Sequence, residues 1–359
     1  MATEDEVLGG FFVKDAAVVD RHTFVFTAHA KPDDPRWQGK EAGDLPCRLI
    51  SYDLSRDFWG KMDYHPSMVF HAAGGIGEHG GKQALFVGLR RNVAAFNYGA
   101  APSGEEGVLD LRASIRDLTF IDGQFYGVGG NAFIGRRDGP GQWHYLHLSE
   151  TRSGKNPVYT HVDGYGTEDL YLLQSGKSAV LHWAGNGLTE YPFPPDLTEA
   201  DPPRAFLPRD LVAAPTGTVY IGSADGRLLA GRAPTGFAPF IADPQPSRDI
   251  RAMTWFGDEL WAIYGTSLAV LRDNGWQEQD FSDDPEAPVA FRYMDARDGV
   301  LLVAGENTAA IYDGTSWARL FGISHDEFLE IKALEQTRGI LKDLVESAKK
   351  LREVRRQQP

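Results

Sequence analysis

A single cysteine, Cys47, serves the whole chain, so no intrachain disulfide can form and a zinc site built on cysteine pairs is excluded. No apolar run approaches the roughly 18–20 residues of a membrane span. The opening Met-Ala-Thr-Glu-Asp-Glu-Val is acidic, where a secretory leader requires a basic first segment. A reducing, cytoplasmic location is the expectation. Basic charge is also short: 36 Lys and Arg stand against 50 Asp and Glu, a formal net charge of −14. That balance repels nucleic acid and anionic lipid unless positive charge is gathered locally. Helical periodicity is scarce before residue 324.

What the chain has in quantity is punctuation. Forty glycines and 21 prolines are spread along nearly its whole length, the signature of many short strands rather than of a low-complexity tail. Seven stretches superpose as strand, turn, strand ending near Gly, turn, and strand running toward an aromatic. The clearest copy runs from Ile115 to Leu146, with turns at Asp122-Gly123 and Asp138-Gly139 before Trp143. Residues 292–317 repeat it with Asp298-Gly299, Asp313-Gly314 and Trp317, and residues 250–281 with Gly257-Asp258 and Asn274-Gly275-Trp276. Asp-Gly and Asn-Gly between alternating apolar residues are strong hairpin signals.

The second strands end at Gly88, Gly129, Gln174, Gly222, Gly265 and Gly305, which lie 41, 45, 48, 43 and 40 residues apart. That is the period of a four-stranded propeller blade. Residues 12–62 make a first blade interrupted by a polar, Pro-rich loop from Lys31 to Pro46. The expected fold is therefore all-β: a seven-bladed β-propeller over residues 1–322, followed by a C-terminal α-helix over 323–359. Gly129-Gly130, Asp138-Gly139 and Trp143, with Gly305, Asp313-Gly314 and Trp317, resemble the blades of kelch-like and related bacterial propellers. The resemblance implies architecture, and fold analogy transfers no function.

Beyond Phe321-Gly322 the period changes. Ser324 and Glu327 have the form of a capping box, and Leu334, Leu341 and Ala348 recur every seven residues beside Thr337, Leu344 and Leu351. Such a stripe packs on the propeller rim, docks a partner or self-associates. Its basic end, from Arg338 to Arg356, also suits the helix dipole.

Some motifs resemble chemistry without its context. Gly75-Ile76-Gly77-Glu78-His79-Gly80 spells a dinucleotide fingerprint, but Lys82–Gly88 reads as a strand where a helix is required. His71, Glu78 and His79 could meet around that loop, yet nothing fixes a metal geometry. No nucleophile elbow occurs. The expectation is no metal and no cofactor.

One regularity carries a site. Arg116, Arg209 and Arg292 each precede the second-strand Gly of their blade by 13 residues and Arg251 does so by 14, so each begins a first strand. Lys14, His71 and His161 fall at or near the same place in other blades. First strands line a propeller's channel, so these seven residues are expected to ring one mouth and to attract a carboxylate, a phosphate or an acidic protein loop. The alternative is that the arginines pair with acids such as Asp117 and Asp210 and tie blades together. The functional expectation is a non-catalytic propeller that binds a protein partner, or an acidic segment of one, as adaptor, assembly factor or toxin-neutralising partner. The rival is a hydrolase or lyase acting on an anionic substrate, with His71 or His161 as base.

Overall fold

The computed structural model describes residues 3–324, with Glu327 and Glu330, apart from the segments 42–43, 65–68, 78–79, 89–91, 99–102, 109–113, 150–154, 199–205 and 244–247 and residues 274 and 282. Seven antiparallel four-stranded sheets follow one another along the chain, spanning 11–64, 69–108, 114–147, 159–192, 208–241, 250–278 and 293–321. They are the seven blades, numbered here in that order. Each is built entirely from consecutive strands.

The hairpins form where the turn chemistry allows. Asp122-Gly123 and Asp298-Gly299 both take positive φ at the two central positions, as the tight hairpin turn that matches strand twist requires. One turn is displaced from its expected place. Gly139 pairs with Gln142, so the loop of that hairpin is Pro140-Gly141 and Asp138-Gly139 ends the strand. Among the described residues two short helices are complete, Glu4–Leu8 and Pro195–Thr198, with a 3-10 turn at Pro35–Trp37 inside the Pro-rich loop of blade 1, and Glu327 and Glu330 are also helical. None is long and apolar enough to cross a membrane.

The core is divided among the seams between blades. Alternation sends successive residues of one strand to opposite sheet faces. In blade 7, Leu301 and Val303 pack with Trp261, Ile263 and Val270 of blade 6, while Val300, Leu302 and Ala304 pack with Phe24, Phe26 and Ile50 of blade 1. Each of the seven seams has one such apolar cluster. The ring therefore closes by face-to-face packing of blade 7 on blade 1, with no strand exchanged between them. Polar ties reinforce the closure: Val13 N–H donates to Glu306 O at 2.8 Å and Gly322 N–H to Glu4 Oε1 at 3.1 Å.

At the C-terminal end, Ser324 and Glu327 exchange the reciprocal bonds of a capping box, Ser324 N–H to Glu327 Oε2 at 2.8 Å and Glu327 N–H to Ser324 Oγ at 3.2 Å. The helix expected over 323–359, with its stripe of Leu334, Leu341 and Ala348, otherwise lies outside the described residues.

Candidate functional site

First strands from all seven blades line one axial cavity of about 340 Å³. Near its start, each of six of these strands carries a β-bulge, an extra residue that interrupts the register: Lys14, Phe70, Arg116, Thr160, Arg209 and Arg251. In the seventh, Arg292 N–H donates to Ala304 O, the residue that Tyr293 faces, and so takes the same place. A bulge re-aims its side chain and sharpens local twist. Five of the seven positions are cationic, and Arg116, Arg209, Arg251 and Arg292 are exposed while Lys14 is half-buried.

These five cations surround the mouth at which the first strands begin, hereafter the front mouth. Arg251 pairs with Asp249 at 2.9 Å and Arg292 with Glu306, each within its own blade. Among the described residues Arg116 and Arg209 make no ion pair. The ring members sense one another: burial first, then the charge of Arg292, lowers the pKa of Lys14.

His71 and His161 sit one residue deeper than the counting from Gly suggested. They follow the bulge residues Phe70 and Thr160, at the level occupied in other blades by Asp15, Asp117 and Asp210. Reading around the axis from blade 1, that level is Asp15, His71, Asp117, His161, Asp210, Ala252 and Tyr293. His71 Nδ1 stands 4.0 Å from Asp15 Oδ2, and His161 Nδ1 is 3.1 Å from Thr160 Oγ1. Burial pushes both imidazoles down to about 4, with Arg116 adding to the effect on His71 and His71 and Arg209 to that on His161. Both are therefore neutral near pH 7.

The aspartates, not the arginines, tie the blades. Asp210 Oδ1 accepts from Leu211 N–H at 2.8 Å, and its Oδ2 accepts from Met253 N–H of blade 6. Asp15 joins Ala16 to Ala72 of blade 2, and Asp117 accepts from Val162 N–H of blade 4. Two further aspartates do the same two residues deeper: Asp163 reaches Ala213 of blade 5, and Asp295 reaches Val18 of blade 1, each at 2.8 Å. At the seam of blades 2 and 3 the tie is instead a buried ion pair, Arg137 to Glu106, with Gln83 accepting from Arg137 at 3.1 Å. The alternative in which Arg116 and Arg209 pair with Asp117 and Asp210 is thus corrected: those carboxyls are engaged by backbone N–H groups of neighbouring blades.

Burial is also the first cause of raised carboxyl pKa values, ahead of the lowering effect of the N–H bonds. Asp15 and Asp210 are pushed up to about 8, Asp117 to about 7 and Asp163 to about 6. Near neutrality these carboxyls carry less negative charge than ordinary aspartates. The cations at the front mouth are correspondingly less cancelled.

The rear mouth is crossed by Arg297, whose guanidinium reaches from blade 7 to the Phe120 carbonyl of blade 3. Phe120 is also what fills the space above Gly75: a Cβ there would come within 2.3 Å of its ring. The glycines of the dinucleotide-like motif therefore serve a hairpin and a close contact, with Gly77 N–H donating to Gly81 O at 3.0 Å. His71 lies at the far end of that strand from the turn, and His79 and Glu78 lie outside the described residues. Among the described residues no group of three His, Cys, Asp or Glu side chains is arranged to hold a metal ion.

With this geometry the chain can be set beside known proteins. No family model matches it. Over 247 residues, 67% of this chain and 76% of the relative, it is 25% identical to a protein named Immune protein Tsi7 from Pseudomonas aeruginosa. Among solved structures it is similar to YCF48 bound to D1 peptide, with 13% identity and a TM-score of 0.57 over 84% of this chain and 91% of that one. It is similar too to Saccharomyces cerevisiae Sqt1, with 11% identity and a TM-score of 0.56 over 87% and 85%. A third likeness is virginiamycin B lyase from Staphylococcus aureus, with 13% identity and a TM-score of 0.52 over 71% and 84%. At such identities the solved structures show the propeller fold alone. The resemblance to kelch-like propellers likewise extends to architecture, and these relatives do not single out the kelch family.

The aspartate ties were the part of the site that sequence reasoning missed. Their signal is a repeated basic-Asp pair, Lys14-Asp15, Arg116-Asp117 and Arg209-Asp210, in alternate blades. Read as neighbours in sequence, such residues suggest ion pairs. The bulge separates them, turning the basic side chain to the mouth and the carboxyl to the next blade.

Proposed function

We propose that this chain is a cytoplasmic, non-catalytic propeller that binds a protein partner through an acidic segment taken at the front mouth, in a neutralising role of the immunity type. The observation that carries the reading is the bulge ring: five cations at equivalent positions around one axis, with Arg116 and Arg209 exposed and unpaired among the described residues. Arginine's planar fork suits carboxylates, and a cluster of cations on an acidic body focuses an acidic partner on that mouth. The relative named an immune protein supports the neutralising role. Binding is favoured over hydrolase or lyase chemistry because imidazoles held near 4 are weak general bases at neutral pH.

The deciding experiment is affinity capture from native lysate with the unmodified chain and with the double variant Arg116→Glu and Arg209→Glu at equal salt. A partner retained by the first and lost by the second, with melting temperatures within a few degrees, supports the reading. Undiminished capture by the reversed variant removes it.

A further inference from the structure

At the front mouth, between blades 7, 1, 2 and 3, a cavity of about 380 Å³ is lined by Lys14, His71, Val87, Gly88, Ile115, Arg116 and Tyr293. Its floor is apolar and its polar groups are cationic or neutral. The Lys14 ammonium rests over the Phe12 ring at 4.2 Å, and no carboxylate pairs with it among the described residues. His71 makes no hydrogen bond among the described residues, its nearest acid being Asp15 at 4.0 Å. The two Asp15 oxygens are taken by Ala16 and Ala72 N–H. The cavity thus collects donors that lack an acceptor among the described residues.

We infer that this cavity is the anchor pocket of the mouth, taking a single carboxylate-bearing side chain, Asp or Glu, of the partner's acidic segment between Lys14, His71 and Arg116. The inference rests on the binding reading above and specifies where the segment is gripped. Pockets of this kind hold a ligand with a few convergent polar groups on an apolar wall, and a carboxylate is the acceptor those donors lack.

A proton accompanies the carboxylate. The titratable and charged groups around His71 are Lys14 and Asp15 of blade 1, Arg116 and Asp117 of blade 3, His161 of blade 4, and Arg292 and Tyr293 of blade 7. In the empty cavity burial and Arg116 hold the imidazole neutral. An anion seated beside it favours the charged form and raises its pKa. Binding therefore draws a proton onto His71 and tightens as pH falls below neutrality. His161, already against Thr160 Oγ1, lies outside the cavity lining and senses the ligand only through the charge of His71.

The test uses the full chain labelled at its histidine rings and an acetyl-capped hexaglutamate peptide as probe, followed by NMR and by binding isotherms at pH 7 and pH 5.5. Saturable movement of the His71 ring signals, smaller movement of those of His161, and severalfold tighter binding at pH 5.5 are expected. The His71→Asn variant should bind with a weaker pH dependence, the remainder coming from Asp117 and Asp163 as they gain protons over the same range, and His71→Gln repeats the measurement should the first variant fold poorly. If the peptide binds, is released by salt and is lost in Arg209→Glu with Arg251→Glu, yet the His71 signals stay still, the anchor pocket is wrong and the mouth reading stands. If the probe binds at neither pH, both fail.

Discussion

The guanidinium of Arg297 crosses the axial channel: its Nη2 donates to the Phe120 carbonyl at 3.1 Å, and its carbon lies 4.9 Å from the centroid of the Phe120 ring. The two residues belong to blades 7 and 3, so the contact spans the channel at the rear mouth. A hydrogen bond to a charged group contributes about 1.5–3 kcal/mol, and a cation over a ring about 0.5–2. Arg297→Ala should lower stability by about 1–3 kcal/mol in urea denaturation while leaving front-mouth binding intact. A neutral effect on the urea midpoint would show that the bridge contributes nothing net.

Adjacent residues in blade 5 should behave in opposite ways. Asp210 holds two backbone N–H groups, one of them on the neighbouring blade, and removing the acceptor strands both. Each buried unsatisfied donor costs about 1–3 kcal/mol, so Asp210→Ala should cost on the order of 2–5 kcal/mol. Arg209→Ala, one residue away at the exposed bulge, should stay within about 0.5 kcal/mol. Equal losses in the two variants would mean that the arginine, too, ties the blades.

The first strands explain how much of this was legible beforehand. The seven blades followed from hairpins such as Asp122-Gly123, because a positive φ at both central positions is a local demand that few residues meet. The place of the arginines at the start of first strands followed as well, because the bulge at Arg116, Arg209 and Arg251, and the equivalent position of Arg292, keep a near-constant spacing from the second-strand end. What did not follow was the direction each side chain takes. Whether Asp117 turns to Arg116 or to Val162 N–H depends on the bulge and on the next blade, 45 residues away. The one-residue offset of His71 and His161 arises at the other end of the hairpin: blade 4 has a second register shift between Gly164 and Gly166, and blade 2 a longer connection between Ile76 and Lys82, each adding a residue that counting back from the second-strand end does not register.

The buried carboxyls give the protein a pH dependence of definite sign. An aspartate in the unfolded chain titrates near 3.9, whereas in the fold Asp15 and Asp210 titrate at about 8, Asp117 at about 7 and Asp163 at about 6. Between those values the folded state keeps protons that the unfolded state releases, so stability falls as pH rises through that window. The imidazoles oppose this only lower down: His71 and His161 titrate at about 4 when folded and about 6.5 when unfolded. There the unfolded state holds the extra protons, and their contribution grows as pH rises from 4 to 6.5. The steepest net loss is therefore expected between about 6.5 and 8, at up to about 1.4 kcal/mol per pH unit for each proton held. Urea midpoints across that range should decline in the unmodified chain and flatten in the double variant Asp15→Asn and Asp210→Asn. An equal slope in both would show that these carboxyls titrate as ordinary ones do.

Ring closure bears on where the folded body ends. Blade 7 meets blade 1 through the apolar cluster of Phe24, Phe26, Leu302 and Phe321 and through four polar ties: Val13 to Glu306, Val18 to Asp295, Arg21 to Asp298 and Gly322 to Glu4. Every one of these groups precedes residue 323. Truncation after Ile323 removes the Ser324–Glu327 capping bonds, which are exposed and close no seam. The shortened chain should remain folded and strand-dominated by circular dichroism, with a melting temperature within a few degrees of the full chain, since exposed termini add little to a core already closed. If it precipitates or melts far lower, residues beyond 323 pack on the blades and belong to the propeller. A stable truncated body with weakened partner binding would instead place a second contact in that segment, beside the groove that Ile323 lines with Arg251, Phe291 and Arg292.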